Sequence, residues 1–245
     1  MPASEPNPGL DRVRRALRSN RSAVGATTTQ APHDAANALR SGILSRGYLP
    51  HLKREGASYF VTFRLADSLP QEVLLGFKQE QAGKLRSLPD QGPTAREAVD
   101  REFQRQIERY LDLGVGACHL KRPDVAQIVA EALLHFHNQQ YLFEEWVIMP
   151  NHVHIVLWPM PNHTLSDILR SRKRHTARRA NLILGRTGET FWQHESHDHW
   201  IRDDEEKARI RRYIRHNPVQ AGLCRSPEEW PWGSAFLKKD AKSGS

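Results

Sequence analysis

The sequence predicts an α+β fold in which helices pack against an antiparallel β-sheet. Two apolar runs, residues 141–149 and 152–158, are separated only by Pro150 and Asn151, which is typical of antiparallel strands joined by a short turn. A third strand pattern precedes them, and segments with helical periodicity lie between and after the strands. This order of strands and helices favours a ferredoxin-like arrangement.

The first strand of the globular part is predicted over residues 58–65, a run of aromatic and β-branched residues. Residues 68–71 have the pattern of a capping box with proline in the first turn, so a helix is expected from here to about Lys84. The polar stretch around Gly92 is predicted to be a loop or an insertion, and residues 95–111 have the pattern of a second, amphipathic helix.

Two further helices flank the predicted hairpin. The helix that begins at Pro123 has apolar residues that recur at helical spacing and face the core: Val125, Ile128, Val129, Leu133 and Phe136. The second helix begins at Thr164 with a capping-box-like pattern and is expected to run to about Ala180. Both helices should pack against the sheet through their apolar sides.

A strand and a helix complete the predicted domain. The strand is expected over residues 190–193, extending to Ile201, and the helix over residues 204–216. Because Pro218 disfavours the helical conformation at Asn217, we expect the last helix to stop there.

The composition points to a polyanionic partner. The formal net charge is +8 and the sequence pI is about 9.8, so nucleic acid is favoured over the plainer interpretation of a basic soluble protein. The two cysteines, Cys118 and Cys224, exclude a disulfide framework or a four-cysteine zinc site and fit the reducing cytoplasm. No apolar run approaches the roughly 20 residues that span a bilayer, so no membrane association is expected.

The chain is divided into three parts by composition. Residues 1–45 mix arginines with small and polar residues and lack an apolar signal core, which predicts a disordered basic arm that can touch a nucleic acid backbone. Residues 46–237 are expected to form one globular domain, and residues 238–245 a disordered tail.

His152 and His154 lie two residues apart in an otherwise apolar strand pattern. Alternate residues of a strand point to the same face, so the two imidazoles should project side by side as a ready pair of metal ligands. A pair held only by hydrogen bonds is the competing interpretation, since this spacing often occurs by chance. Imidazole ligands by themselves favour zinc, copper, nickel or manganese over magnesium.

Tyr213 and Asn217 are four residues apart, which places them on one face of the last predicted helix. Together with the histidine pair, a phenol and an amide suggest phosphodiester chemistry with a tyrosine nucleophile. Taken singly, each residue is better explained by a structural role: Tyr213 as a half-buried aromatic beside Ile210 and Ile214, and Asn217 as a helix terminator.

The helix after Thr164 carries a run of basic residues opposite its apolar side: Arg170, Arg172, Lys173, Arg174, Arg178 and Arg179. A solvated face is the plainer interpretation, but in so basic a chain we expect phosphate contacts. Arginines of the last helix are expected to extend the positive field around Tyr213: Arg209, Arg211, Arg212 and Arg215. The histidine-rich segment 196–200 is expected to face solvent.

With these segments in order, residues 48–236 resemble the HUH single-strand transposases of the IS200-like family, and most of all their REP-associated tyrosine transposase branch. The resemblance depends on four motifs: Met149-Pro150-Asn151-His152-Val153-His154, Phe191-Trp192-Gln193 with Glu195 and Asp198, residues 212–223, and residues 227–232. Several motifs in the right order are much more specific than the two histidines alone.

The resemblance implies the fold and the chemistry of that family. His152 and His154 become metal ligands, Asn217 the third ligand, and Tyr213 the nucleophile that forms a 5′-phosphotyrosine. The implied cofactor is Mg²⁺ or Mn²⁺, and the implied partner is single-stranded or hairpin DNA, bound by a monomer or a homodimer. Two alternatives stay open: a non-catalytic protein that binds DNA hairpins, and a metal-dependent phosphodiesterase that activates water.

Overall fold

The computed structural model describes residues 41–45, 50–54, 56–88 and 92–237. Its strands are β1 (Ser41–Ser45), β2 (Pro50–Arg54), β3 (Tyr59–Arg64), β4 (Tyr141–Ile148), β5 (His152–Pro159) and β6 (His197–Trp200). Its α-helices are α1 (Gln71–Arg86), α2 (Gly92–Asp112), α3 (Pro123–Leu134), α4 (Leu165–Leu184) and α5 (Asp204–Gln220). Residues 1–40 of the predicted arm and the predicted tail, 238–245, lie outside the described residues, while the last five residues of the arm form β1.

The main sheet is antiparallel and four-stranded, in the order β4-β5-β3-β6. From β3 onward the chain passes through helices to the β4–β5 hairpin and through α4 to β6, which is the βαββαβ connectivity of a ferredoxin-like fold. The predicted α+β class and its antiparallel sheet are confirmed. Strands β1 and β2 pair with each other in a separate two-stranded sheet.

Each face of the main sheet is covered by different helices. Val61, Val153 and Ile155 point to one face, where they pack in a core with residues of α3 and α4. Phe60 and Val156 point to the other face, where they pack with Ile214 of α5. Because side chains alternate along a strand, His152 and His154 share the α5 face with Val156.

Helix α5 continues past the residue where the sequence predicts its end. Pro218 lies inside the helix, which ends at Gln220, and Asn217 is helical and buried. The expected stop at Asn217 is therefore wrong. Proline removes one backbone N–H donor. Near the end of a helix, the stability lost with that hydrogen bond is small compared with the stability gained by packing the last turn.

Two other local predictions are also corrected. The capping box before α1 does not form, because the Ser68 hydroxyl donates to Leu65 O and Pro70 precedes the helix without a side-chain cap. The strand expected at residues 190–193 is reduced to a single bridge between Trp192 and Leu65, and β6 begins only at His197. In contrast, the predicted cap of α4 is confirmed, since Thr164 Oγ1 accepts from the Asp167 backbone N–H. Within the described residues, no helix is long and apolar enough to cross a membrane.

Candidate active site

The two histidines of β5 are completely buried and their rings converge. Both have 0% exposure, and the Nε2 atoms of His152 and His154 are 3.0 Å apart. The alternation of the strand places both rings on the α5 face, and residues of β3 and β4 flank them in the sheet. The histidine pair thus points into the space between the sheet and α5.

Neighbouring polar groups hold the outer nitrogen of each ring. Asn151 Nδ2 donates to Leu111 O and Val115 O at 3.1 and 3.0 Å, so its Oδ1 is the atom that lies 2.7 Å from His152 Nδ1. The proton of His152 is therefore on Nδ1, and its Nε2 carries a free lone pair. His154 Nδ1 lies 2.8 Å from Thr62 Oγ1. Histidines that bind metals are commonly oriented by such partners.

Burial keeps both rings neutral. It lowers the pKa of His152 to about 3, and burial with the neighbouring His152 and His197 lowers the pKa of His154 well below its usual value. A neutral imidazole with a free nitrogen lone pair is the form that binds a metal ion.

Helix α5 brings Tyr213 and Asn217 to the histidine pair. Tyr213 Oη lies 3.3 Å from His154 Nε2, and the tyrosine ring meets the rings of His154 and Phe60 edge-on. Asn217 Nδ2 is 3.4 Å from Asp112 Oδ1, while its Oδ1 is buried and has no hydrogen-bond partner among the described residues. A buried amide oxygen without a partner is costly, and a bound cation would satisfy it.

The donor atoms at this point fit a divalent metal. When each imidazole carries its proton on Nδ1, the Nε2 atoms of His152 and His154 present lone pairs. The amide Oδ1 of Asn217 presents lone pairs as well, so none of the three atoms carries a proton that would repel a cation. No group of three or more histidine, cysteine or acidic side chains in the described part of the chain is arranged to hold a metal. The candidate set therefore depends on the amide of Asn217.

Two carboxylates of α2 also reach the site, and sequence reasoning did not identify them. Asp112 Oδ1 is 3.9 Å from His152 Nε2 and accepts from Asn217 Nδ2 at 3.4 Å. Glu108 lies one turn before Asp112, and its carboxylate interacts electrostatically with the Tyr213 phenol. Burial raises the pKa of Glu108 to about 7, with a further contribution from Asp112, and burial raises the pKa of Asp112 to about 6. Their four-residue spacing on an amphipathic helix is the signal that could have placed both on one face.

These carboxylates affect the tyrosine. Burial first, and then Glu108 and Asp112, raise the pKa of the Tyr213 phenol far above its usual value. A nucleophilic role for Tyr213 therefore requires both positive charge nearby and a group that accepts its proton.

A buried carboxylate of β4 anchors α5. Glu145 is 0% exposed, and its Oε2 accepts from Arg215 at 2.7 Å and from Arg211 at 3.3 Å. An irregularity of the β4–β5 register between Phe143 and Glu145 turns the carboxylate toward α5. Arg211 and Arg215 thus hold the helix on the sheet. Two of the four arginines expected to surround Tyr213 are therefore already paired with Glu145.

The basic helix α4 lies on the face of the sheet opposite to the histidine pair. Arg172 is buried, packs over the Phe136 ring and donates to Ala132 O, and Lys173 donates to the carbonyls of Gln193 and His194. These two side chains are engaged inside the protein. The exposed basic residues of α4 are Arg170, Arg174, Arg178 and Arg179.

A cavity of about 610 Å³ adjoins the site between α2 and the edge strand β6. Its lining includes Phe60, Glu108, His197, His199 and Trp200. The histidine-rich segment is therefore not simply solvent-facing: His197 and His199 line this cavity, and His199 Nε2 is 3.0 Å from Glu206 Oε1. The cavity gives Glu108 an approach from the β6 side, and Phe60, which lines it, packs against the Tyr213 ring.

The fold and the site define an α+β protein of ferredoxin-like connectivity with a buried histidine pair beside a helical tyrosine. Residues 121–217 match the family model described as "Transposase IS200 like". This segment is less than half of the chain, and it contains the histidine pair, Tyr213 and Asn217. The resemblance to IS200-like transposases is confirmed for these residues and supports a transposase role.

Solved structures with similarity to the chain include two transposases. A REP-associated tyrosine transposase bound to a REP hairpin is 17% identical, with 82% of this chain and 87% of that chain covered and a TM-score of 0.46. A Deinococcus radiodurans R1 protein described as a transposase is 16% identical, with 71% of this chain and 96% of that chain covered and a TM-score of 0.27. Similarities of this size do not transfer the role of any residue. A comparison with curated proteins gave no match.

Proposed function

We propose that this protein is a transposase-type endonuclease and strand transferase that acts on single-stranded DNA, with Tyr213 as its nucleophile. The observation that carries the proposal is the convergence of three groups. His152 Nε2 and His154 Nε2 are 3.0 Å apart, and Tyr213 Oη lies 3.3 Å from His154 Nε2. The family match over residues 121–217 supports the same class of reaction.

The proposed cofactor is Mg²⁺ or Mn²⁺, held by His152, His154 and Asn217. When bound, such an ion supplies a Lewis acid that polarises the scissile phosphate and offsets the charge of the transition state. The two imidazole donors favour Mn²⁺ over Mg²⁺, which prefers oxygen ligands. Asn151 and Thr62 keep the two rings in the orientation that this binding requires.

In the proposed reaction Tyr213 Oη attacks phosphorus in line, which yields a 5′-phosphotyrosine and a free 3′-hydroxyl. The covalent bond conserves the phosphodiester energy, so a 3′-hydroxyl can later reverse the attack and join the strands. Tyr213 and the histidine pair come from the same chain, so the proposed site is complete within one subunit. A homodimer would not be needed to assemble it.

The proposed substrate is hairpin DNA of the REP type. The net charge of +8 favours binding to the phosphate backbone, and the exposed arginines of α4 are the candidate contacts on the face opposite to the cleavage site. Trp200 and Phe60 line the cavity beside Tyr213 and suit the stacking of unpaired bases.

The test is incubation of the purified protein with labelled hairpin DNA, with and without Mn²⁺, followed by a denaturing gel. We expect a metal-dependent covalent adduct that is absent in Tyr213→Phe and in His152→Ala, and present in the control Tyr110→Phe. Tyr110 is a suitable control because it packs against Phe77 in the α1–α2 pair, away from the histidine pair.

Either competing function would give a different result. Cleavage without an adduct, unaffected by Tyr213→Phe, would identify a phosphodiesterase that activates water. Tight binding without cleavage across a broad set of hairpins would identify a non-catalytic DNA-binding protein.

A further inference from the structure

Two groups near the hydroxyl of Tyr213 can accept its proton. One is His154 Nε2, at 3.3 Å, and the other is the carboxylate of Glu108. Glu97 contacts Arg202 and Asp112 contacts Asn217, so α2 and α5 run side by side in the same direction. Glu108, one turn before Asp112, therefore lies level with Tyr213, one turn before Asn217. A phenol has a single proton to donate, so only one of them takes it during nucleophilic attack.

His154 is the less suitable acceptor. Its Nε2 points toward His152 Nε2, where the proposed metal site lies, and a nitrogen lone pair that binds a metal cannot also take a proton. The other carboxylate nearby, Asp112, accepts from Asn217 Nδ2 and lies on the His152 side of the site. Glu108 remains as the acceptor that lies level with the tyrosine on the neighbouring helix, and among the described residues it has no recorded contact with a proposed metal ligand.

We propose that Glu108 is a catalytic residue of this site, whose carboxylate accepts the phenolic proton of Tyr213 as the bond from Oη to phosphorus forms. This inference rests on the proposed function. As that bond forms, the bond between phosphorus and the 3′-oxygen breaks, and the leaving oxygen takes a proton from solvent. In the joining reaction the 3′-hydroxyl gives its proton to solvent as its oxygen attacks the phosphotyrosine. The bond from phosphorus to Tyr213 Oη breaks, and Glu108 returns its proton to that oxygen.

The position of Glu108 is fixed by contacts at both ends of α2. Near its C-terminal end, Asn151 Nδ2 donates to Leu111 O and to Val115 O just beyond the helix. Near its other end, Glu97 accepts from Arg202 at 3.0 Å. The same asparagine that orients His152 therefore also holds the helix that carries Glu108, which couples the proton acceptor to the metal ligands.

The surroundings of Glu108 suit a general base. Burial raises its pKa to about 7, close to the pH at which a base of this kind is most effective. The titratable and charged groups that interact with it are Asp112 and Arg105 from its own helix and the neutral phenol of Tyr213 from α5. Further titratable groups line the same cavity on β6 and α5: His197, Asp198, His199 and Glu206.

The test compares Glu108→Gln and Glu108→Asp with Glu102→Gln, an ion-paired glutamate on the surface of the same helix. The single-turnover rate of adduct formation is measured with Mn²⁺ from about pH 5.5 to about pH 9, together with hairpin affinity, Mn²⁺ affinity and thermal stability. We expect Glu108→Gln to lower the rate by about a hundredfold and to remove its rise with pH near neutrality. Glu108→Asp should restore part of the rate, and Glu102→Gln should match the wild type.

Equal rates and pH profiles for Glu108→Gln and Glu102→Gln would overturn the proposal. So would a loss of rate in Glu108→Gln that is matched by an equal loss of hairpin or Mn²⁺ binding, because that result would show a structural role. Failure of the proposed function is distinct from both: the wild type would then form no adduct, or Tyr213→Phe would still cleave.

Discussion

At the scale of single residues, the site is built by the neighbours of the histidines as much as by the histidines themselves. The two-residue spacing predicts that His152 and His154 share a face, because strand side chains alternate. It does not show that Asn151 and Thr62 hold their outer nitrogens, since Thr62 comes from another strand and the sequence indicates only a turn at Asn151. The contact of Thr62 with His154 depends on the pairing of strands 92 residues apart, which no local pattern reveals.

Thr62 gives a direct test of this support. Valine has nearly the shape of threonine, so Thr62→Val removes the hydroxyl next to His154 Nδ1 and little else. We expect Mn²⁺ affinity to fall by about tenfold or more, because partners of this kind orient the ligand. Calorimetric titration with Mn²⁺ measures the change, and Thr190→Val in the loop before β6 is the control. Unchanged Mn²⁺ affinity in Thr62→Val would show that the hydroxyl does not orient the ring.

The raised pKa of Glu108 also predicts an unusual dependence of stability on pH. Its pKa rises from 4.5 to about 7 in the folded protein, so the folded state holds this proton more tightly than the unfolded state. The stability that the protonated carboxyl contributes is present in full below the unfolded value of 4.5 and is lost as pH rises through about 7.

Glu108→Gln should therefore stabilise the metal-free protein by about 2 kcal/mol at pH 8 and by little at pH 4, after allowance for solvent screening. Urea unfolding in the presence of a chelator, at both pH values, measures the difference. A stabilisation that is equal at the two pH values would mean that ionisation of Glu108 is not its cause.

At the scale of elements, α5 decides whether the tyrosine and the amide meet the histidines. The sequence predicts the helix and the shared face of Tyr213 and Asn217, but it places the end of the helix at Asn217 because of Pro218. Tertiary contacts override that local preference: Ile214 and Asn217 are buried, and Glu145 binds Arg211 and Arg215. The preference of proline for helix ends is a local property, so it does not reflect contacts with a strand about 70 residues earlier in the chain.

Removal of the Glu145 carboxylate should release α5. Glu145→Ala leaves two arginines without their buried partner, and we expect a loss of about 3 kcal/mol in the free energy of unfolding. Glu205→Ala is the matched control, because Glu205 pairs with Arg209 on the exposed side of the same helix and should cost less than about 1 kcal/mol. Chemical unfolding of both variants tests this, and equal losses would contradict the anchoring role of Glu145.

At the scale of the whole molecule, the sequence predicts the α+β class and most of the strands and helices but not how they combine. The polar stretch around Gly92, expected to be a loop or an insertion, instead begins α2, which delivers Glu108 and Asp112 to the site. The basic helix follows the histidine strand in sequence, yet α4 and α5 cover opposite faces of the sheet. Proximity along the chain therefore does not show that two sets of candidate residues share a surface.

This separation of the two faces predicts that DNA affinity and cleavage can be changed independently. Arg174→Ala combined with Arg178→Ala removes two exposed charges from α4, far from Tyr213 in the fold. If these side chains contact phosphates, hairpin affinity should fall by about tenfold at physiological salt, and the slope of log affinity against log salt should decrease by about 2. The rate of adduct formation at saturating DNA should be unchanged, because neither residue touches the reacting groups.

The matched control for the two arginines is Lys84→Ala combined with Arg86→Ala, which removes the same charge from the end of α1. Fluorescence anisotropy with labelled hairpin DNA at several salt concentrations measures both pairs. If DNA is attracted only by the overall positive charge of the protein, the two pairs of substitutions will weaken binding equally. That result would show that α4 is not a specific contact surface. A larger effect at α4 places the hairpin stem on the face opposite to the histidine pair. The unpaired strand would then have to pass around the sheet edge at β6, where the cavity beside Tyr213 and Glu108 lies.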